Sequence, residues 1–138
     1  GGDTLIGNGR SNMLAGGGGN DVLDGGKGTD LLLGGPGSDA FVFKAKGAAV
    51  DTIADFDPAL DTIRLAKSAF ADIGGKGVLA EARFHVGAAA ADRTDRIIYD
   101  DETGLLIHDR NGSAAGKAKV FAEVGPGLDV DHGVFIVI

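Results

Sequence analysis

The chain has 138 residues, of which 43% are hydrophobic, a formal net charge of −7 and no cysteine. This length and apolar content suit one domain with an ordinary core, and the negative charge argues against a nucleic-acid partner, which would need clustered Lys and Arg. Disulfides cannot contribute to stability, and no stretch is long and apolar enough to predict a membrane span.

The first 43 residues contain a nine-residue repeat. Glycine stands at its first, second and fourth places, aspartate at its sixth and an apolar residue at its eighth. Three full copies, a degenerate one and the last six places of another are Gly16–Asp24, Gly25–Leu33, Gly34–Val42, Gly7–Ala15 and Gly1–Ile6. Fourteen of the 25 glycines lie before Ser38. We infer a glycine-rich coil over residues 1–43, followed by a non-repetitive part.

The repeat must be distinguished from a flexible linker, which is the usual interpretation of glycine-rich sequence. The eighth place is apolar in every copy: Leu5, Leu14, Leu23, Leu32 and Phe41. Linkers do not hold large apolar side chains at a fixed interval, so the pattern favours a folded repeat.

The aspartates and glycines of the repeat suit a hard cation such as calcium. This ion takes six to eight oxygen ligands at about 2.3 to 2.6 Å, from carboxylates, backbone carbonyls and water. One carboxylate per loop cannot supply them, so main-chain carbonyls must converge on the ion. Such curling needs positive φ angles, which glycine adopts without steric cost.

The three residues after each loop predict a short strand with its middle side chain facing inward. A loop and a strand make half a turn of a parallel coil, so loops two repeats apart share an edge. Asp3, Asp21 and Asp39 are then on one edge, and Asn12 and Asp30 on the other.

The Asp-x-apolar signature continues beyond the glycines. Asp51 and Asp61 each begin an Asp-Thr-Ile sequence, which predicts further turns on the edges of Asp30 and Asp39. The loop of residues 7–12 departs from the pattern because Asn12 is neutral and Arg10 replaces the fourth glycine. We expect the weakest ion site there.

Outward positions of one sheet of the coil are unexpectedly apolar: Met13, Leu31 and Leu33. Such a patch normally packs against something. We expect the segment after Phe43, or a second copy of the chain, to cover it.

The second half has a β-type pattern. Residues 97–109 predict a hairpin around the turn of residues 101–104, residues 118–124 a third strand, and residues 134–138 a terminal apolar run. Helix is expected only in short pieces, at residues 66–71 and around Ala80. No zinc, nucleophile or phosphate-binding motif occurs, so the module is not expected to be an enzyme.

From Gly16 onward the chain resembles the C-terminal module of RTX (haemolysin-type) exoproteins of the serralysin type. The resemblance rests on the nonapeptides and on DAFVF (39–43), VDTIADF (50–56), DTIRL (61–65), RIIYDDETGLLIHD (96–109) and VFIVI (134–138). It implies an all-β fold, with a right-handed parallel β-roll over residues 1–63 and a β-rich, β-sandwich-like flanking region over residues 64–138, packed as one unit.

The resemblance also implies the metal ligands, since in this family carbonyls of the glycine loops join the aspartates around calcium. Carried onto matching positions, these are residues 16–21, 25–30 and 34–39. With the residues that the repeat register adds, the candidate ligands are Asp3, Gly7, Gly9, Asn12, Gly16, Gly17, Gly18, Gly19, Asp21, Gly25, Gly26, Lys27, Gly28, Asp30, Gly34, Gly35, Pro36, Gly37, Asp39, Asp51 and Asp61. The pairing of loops predicts about three to five ions.

The expected function is that of a non-catalytic calcium-binding module of a larger exoprotein. The resemblance implies that it is extracellular and exported by a type I secretion apparatus that reads an uncleaved C-terminal signal, and that upstream domains of the parent chain are partners. Two alternatives remain open: the chain is part of a secreted hydrolase or polysaccharide-modifying enzyme, or it is a structural or adhesive repeat module.

Overall fold

The computed structural model describes residues 1–44, 49–112 and 118–138, and the described part forms two β-sheets without an α-helix. The thirteen strands are β1 (Thr4–Ile6), β2 (Met13–Ala15), β3 (Val22–Asp24), β4 (Leu31–Leu33), β5 (Ala40–Phe43), β6 (Asp51–Ile53), β7 (Thr62–Leu65), β8 (Gly77–Val78), β9 (Phe84–Val86), β10 (Ile97–Asp100), β11 (Leu105–Asp109), β12 (Ala118–Glu123) and β13 (Phe135–Val137). The all-β class predicted from the sequence is confirmed.

The first seven strands form a parallel roll. Odd-numbered strands pair in the order β1-β3-β5-β7 in one sheet, and even-numbered strands in the order β2-β4-β6 in the other. The register joins equivalent places of the repeat, as in Leu5 with Leu23 and Leu14 with Leu32. Each repeat therefore crosses from one sheet to the other, as the half-turn interpretation predicts.

The eighth place of the repeat fills the space between the two sheets. Leu23, Leu32 and Phe41 are fully buried, and so are Ile53 and Ile63, which hold the same place after Asp51 and Asp61. Burying a side chain of this size contributes roughly 1.5–3 kcal/mol. The coil therefore extends to β7, as the Asp-Thr-Ile sequences predict.

The second half of the chain continues both sheets of the roll. Strand β13 pairs in parallel with β7, and β12 pairs in parallel with β6. Strands β10, β11 and β12 are antiparallel, and β9 and β8 lie at the outer edges. The predicted hairpin, third strand and terminal strand are confirmed.

The expected short helices are only partly present. Single 3₁₀ turns occur at Glu81–Arg83 and His132–Val134. Residues 66–71 form hydrogen-bonded turns, so the helix expected there is wrong. Phe70 instead packs into the core, against Phe121 with ring centroids 4.9 Å apart.

One hydrophobic cluster extends from the roll into the second half. It includes Leu23 and Phe41 from the repeats, and Tyr99 and Phe135 from the later strands. The hydroxyl of Tyr99 donates to the Gly125 carbonyl and accepts from the Leu128 N–H, so this buried polar group is satisfied. Because the core is shared, the two regions should gain and lose structure together.

The apolar outer face of the even-numbered sheet is not covered as expected. Leu31 and Leu33 are half-buried, but Met13 is 71% exposed. No described segment after Phe43 covers Met13, so that part of the expectation is wrong for a single chain.

A histidine in the second half predicts a pH dependence of stability. Burial is the largest cause that lowers the pKa of His108 below its usual 6.5, while a backbone hydrogen bond with Ala71 opposes it. At His108 the folded chain then binds fewer protons than the unfolded chain as the pH falls below 6.5, so the contribution of this residue to stability should fall through that range. Each unit of pKa difference corresponds to about 1.4 kcal/mol.

Thermal unfolding with saturating calcium between pH 7.5 and pH 5.5 checks this prediction. We expect His108→Gln to reduce the loss of melting temperature at low pH. Equal dependence in the wild type and His108→Gln would contradict it.

Candidate metal site

Aspartates are stacked along the two edges of the roll, and we call each stack an aspartate ladder. In each ladder, Oδ1 of an aspartate accepts the backbone N–H of the equivalent residue one turn earlier. The five bonds, from N–H to Oδ1, are Asp3 to Asp21 (2.6 Å), Asn12 to Asp30 (2.7 Å), Asp21 to Asp39 (2.8 Å), Asp30 to Asp51 (2.9 Å) and Asp39 to Asp61 (2.9 Å). The predicted edges and the placement of Asp51 and Asp61 are confirmed.

The second carboxylate oxygen of the central aspartates is buried. Oδ2 of Asp21, Asp30 and Asp39 has no hydrogen-bond partner in the described part of the chain. An unpartnered polar atom in the interior is costly, and more so when it is charged. These oxygens therefore fit a bound cation, which would compensate their charge.

The first glycine of each copy makes room for this oxygen. A Cβ atom on Gly16 would lie 2.5 Å from Oδ2 of Asp21, and Gly25 and Gly34 have the same relation to Asp30 and Asp39. The first glycine is thus explained by contact with the aspartate of its own repeat. Sequence reasoning, which attributed the glycines to backbone conformation, missed this reason.

The second and fourth glycines have the positive φ angles expected from the sequence. The angles are 92° and 125° at Gly17 and Gly19, and 91° and 144° at Gly35 and Gly37. Loops on one edge are also hydrogen-bonded to each other, as from the Gly19 N–H to the Pro36 carbonyl at 2.9 Å. The glycine loops are therefore curled and stacked, with main-chain carbonyls beside the ladders.

The last aspartates of the ladders resist ionisation. Burial is the largest cause that raises the pKa of Asp51 to about 6; the Asp30 N–H opposes it, and the charges of Asp30 and Asp24 add to it. Burial likewise raises the pKa of Asp61. The described residues form one salt bridge, between Lys44 and Asp24 at 3.0 Å, and it involves none of the ladder carboxylates. The part of the chain that the structure describes therefore supplies no ion-paired cation to balance them.

No group of three or more His, Cys, Asp or Glu side chains is gathered as a metal cluster in the described residues. This fits a site in which each loop contributes one carboxylate and the other oxygens come from the main chain and water. The structure brings residues 16–21 together with residues 34–39, and residues 7–12 with residues 25–30.

The loop of residues 7–12 differs from the full copies in its hydrogen bonds. Oδ1 of Asn12 accepts the Asn8 N–H at 2.7 Å, and Oδ1 of Asn8 accepts the Arg10 N–H at 2.8 Å. The side-chain oxygen at the sixth place is therefore already satisfied and carries no charge. This local arrangement supports the prediction that the weakest site is here.

Asp55 is a residue near the site that the sequence analysis missed. Its two carboxylate oxygens accept the N–H groups of Gly34 and Gly35 at 2.9 and 2.8 Å. It holds the place of the first glycine of a further repeat, counted from Asp51, so the nonapeptide pattern gives no signal for it. Asp55 therefore holds the first two residues of the last full loop, Gly34 and Gly35, against the next turn of the roll.

Comparison with known families agrees with this geometry. The family model of the RTX calcium-binding nonapeptide repeat matches residues 6–41 in four copies. No curated protein matches the chain. Among the described residues, no helix is both long and apolar enough to cross a membrane. The matched residues form the stacked loops and strands of the roll, and residues 6–41 of the chain are RTX, or haemolysin-type, calcium-binding nonapeptide repeats.

Proposed function

We propose that this chain is a non-catalytic calcium-binding module that folds outside the producing cell and supports type I secretion and stability of a larger exoprotein. The observation that carries this proposal is the pair of aspartate ladders. One oxygen of each central carboxylate accepts a backbone N–H, and the other is buried without a hydrogen-bond partner among the described residues. Calcium would supply the positive charge that these carboxylates lack.

The ions would lie between loops that are neighbours on one edge. The carboxylates of Asp21, Asp30 and Asp39 are the central ligands of this proposal, with carbonyls of residues 16–21, 25–30 and 34–39. Asp3, Asp51 and Asp61, and residues 7–12, would complete the outer sites. The number of loop pairs supports about three to five ions.

Linkage between binding and folding supports the extracellular role. An ion that binds only the folded chain stabilises it by RT ln(1 + [L]/Kd) at each site. Extracellular calcium modules have dissociation constants on the order of 10⁻⁴ to 10⁻³ M. A chain whose calcium sites have dissociation constants in that range would stay unfolded in calcium-poor cytosol and fold after release.

The position of the C-terminal segment supports the same sequence of events. Phe135 and Val137 are buried, and β13 is bonded to β7 of the roll. A secretion apparatus that reads residues 134–138 would need access to them, and they are accessible only before β13 packs on the roll. We therefore propose that residues 1–63 control when residues 64–138 become folded.

Equilibrium dialysis against calcium tests the binding sites. We expect the wild type to bind about three to five ions at millimolar calcium. Asp39→Asn should bind at least one ion fewer, because Asn keeps an oxygen for the Asp21 N–H but places a neutral nitrogen where the unpartnered Oδ2 lies.

Asp129→Asn is the matched control, because it makes the same charge change at an exposed residue. It should bind as many ions as the wild type. The proposal fails if the wild type binds no ion at 10 mM calcium (about ten times the weakest expected dissociation constant), or if Asp39→Asn matches the wild type in number and affinity.

A further inference from the structure

We propose a second ligand site, for a doubly charged tetrahedral oxyanion, phosphate or sulfate, either free or as a monoester. It is a cleft of about 510 Å³ in the second half of the chain. Its lining residues are Lys67, Asp72, Gly74, Arg83 and Arg96. None of them belongs to the nonapeptide loops, so the site does not depend on the assignment of calcium ligands.

The cleft concentrates positive charge on an acidic protein. Three of its five lining residues are cationic and one is acidic, whereas the whole chain has a net charge of −7. The one salt bridge among the described residues is between Lys44 and Asp24. Lys67, Arg83 and Arg96 therefore have no described carboxylate within ion-pair distance. Unpaired cations that converge on one concave surface favour an anionic ligand.

The three cations come from separate parts of the chain that the backbone holds together. Lys67 follows β7, and its N–H donates to the Ile138 carbonyl at 3.0 Å. Arg83 lies in a 3₁₀ turn, and its carbonyl accepts the Arg96 N–H at 2.8 Å. The convergence therefore follows from the folded backbone of the second half.

Arg96 is fixed in the wall of the cleft. Its Nη1 donates to the carbonyls of Arg93 and Asp95, both at 2.7 Å, and its half-buried guanidinium keeps a buried Nε–H without an acceptor. A buried donor without an acceptor is rare and costly in native proteins. The guanidinium has no ion-pair partner among the described residues, so its charge can still attract an anion in the cleft electrostatically.

The lining of the cleft includes an unusual backbone conformation. Among the described residues, Asp72 is the one non-glycine residue with a positive φ, which is 70°. The φ of Gly74, two residues later, is 105°. Residues in this left-handed region are strained and concentrate at functional sites. Asp72 and Gly74 both line the cleft, and Asp72 is the acidic residue among its five lining residues, three of which are cationic.

These features select the class of ligand. Arginine forms paired hydrogen bonds with planar or tetrahedral oxyanions, and lysine adds a point charge. A net lining charge of +2, from three cations and one carboxylate, matches a doubly charged ion better than a monocarboxylate. A cleft of this size is in the usual range for small-molecule sites.

Nuclear magnetic resonance of the ¹⁵N-labelled full chain in 2 mM calcium, a concentration above the expected dissociation constants, tests the site. Sodium sulfate and glycerol 3-phosphate are titrated separately at constant ionic strength, and the Nε–H signals of Arg83 and Arg96 and the Gly74 amide are followed. We expect saturable shifts with a dissociation constant on the order of 1 mM for at least one of the two. Saturation by sulfate alone would assign a free ion, and saturation by the ester would assign a monoester.

Two variants and a control make the result specific. Arg83→Gln and Lys67→Gln should each weaken binding about tenfold, while Lys119→Gln, which removes the same charge from an exposed lysine outside the cleft, should not. Glutamine at position 67 replaces an exposed side chain, so this variant should fold even if Arg83→Gln does not. The proposal is overturned if neither anion gives saturable shifts, if acetate binds as tightly, or if folded Lys67→Gln binds like the wild type.

Discussion

Removing calcium with excess chelator should abolish the β-structure of the whole chain, and adding calcium back should restore it. The reason is the electrostatics of the ladders. Three neighbouring pairs of buried aspartates face each other without metal: Asp21 with Asp39, Asp39 with Asp61, and Asp30 with Asp51. Adjacent strands are about 4.8 Å apart, and two like charges at that distance repel by roughly 3 kcal/mol at an effective dielectric constant of 20.

The sum of these repulsions is comparable to the stability of a domain. The repulsion of three aspartate pairs sums to on the order of 10 kcal/mol. The free energy of unfolding of a domain of this size is about 5–15 kcal/mol. Raised pKa values at Asp51 and Asp61 relieve only part of the repulsion at neutral pH. Three ions at a hundred times their dissociation constant would return about 8 kcal/mol. We therefore expect bound metal to decide whether the fold is populated.

Far-UV circular dichroism and tyrosine fluorescence together measure this effect. Tyr99 is the single tyrosine of a chain without tryptophan, and it is buried in β10, outside the roll. Because the core is shared, we expect the Tyr99 signal and the β-signal to change at the same calcium concentration. Magnesium should not replace calcium, since it demands near-octahedral geometry and dehydrates reluctantly.

Persistence of the native spectrum in chelator would contradict the calcium requirement. A β-signal that disappears while Tyr99 keeps its native emission would contradict the shared cooperative core. Either result would also remove the physical basis for a calcium-triggered change after export.

The sequence predicted the roll well because its signal is periodic and local. Glycine, aspartate and an apolar residue at fixed places determine the loop, the strand and the inward side chain, and Asp51 and Asp61 continue two of these places without the glycines. The two edges follow from the repeat length alone. These predictions therefore needed no knowledge of distant contacts.

The parts that could not be predicted depend on contacts between distant residues. Nothing in the sequence around Val134 indicates that β13 pairs with β7 rather than with a neighbouring strand. Asp55 stands where the nonapeptide pattern has a glycine, so the pattern gives no signal for its role, yet it accepts the N–H groups of Gly34 and Gly35. The cationic cleft likewise joins Lys67, Arg83 and Arg96, whose proximity exists only in the folded chain.

Replacing Gly37 by alanine should strongly destabilise the calcium-bound protein, whereas replacing Gly18 should not. Gly37 has a φ of 144°, and a Cβ atom there would overlap the carbonyl oxygen of Gly19 on the stacked loop. Left-handed backbone costs a non-glycine residue about 1–2 kcal/mol. The displaced Gly19 carbonyl is also a proposed calcium ligand, so a total loss of about 3 kcal/mol or more is expected.

Gly18 is a matched control because it lies on the same edge and has open space around it. The third place of the repeat already carries Lys27 and Pro36 in the other copies, so the loop tolerates side chains there. Gly18→Ala should be neutral or stabilising by up to about 1 kcal/mol, since it reduces the entropy of the unfolded chain. Urea unfolding at 10 mM calcium, chosen to exceed the expected dissociation constants, measures both variants. A difference of less than about 0.5 kcal/mol between their free energies of unfolding would contradict this prediction. Close stacking of the two loops would then not stabilise this edge of the roll, and glycine at the fourth place would have another cause.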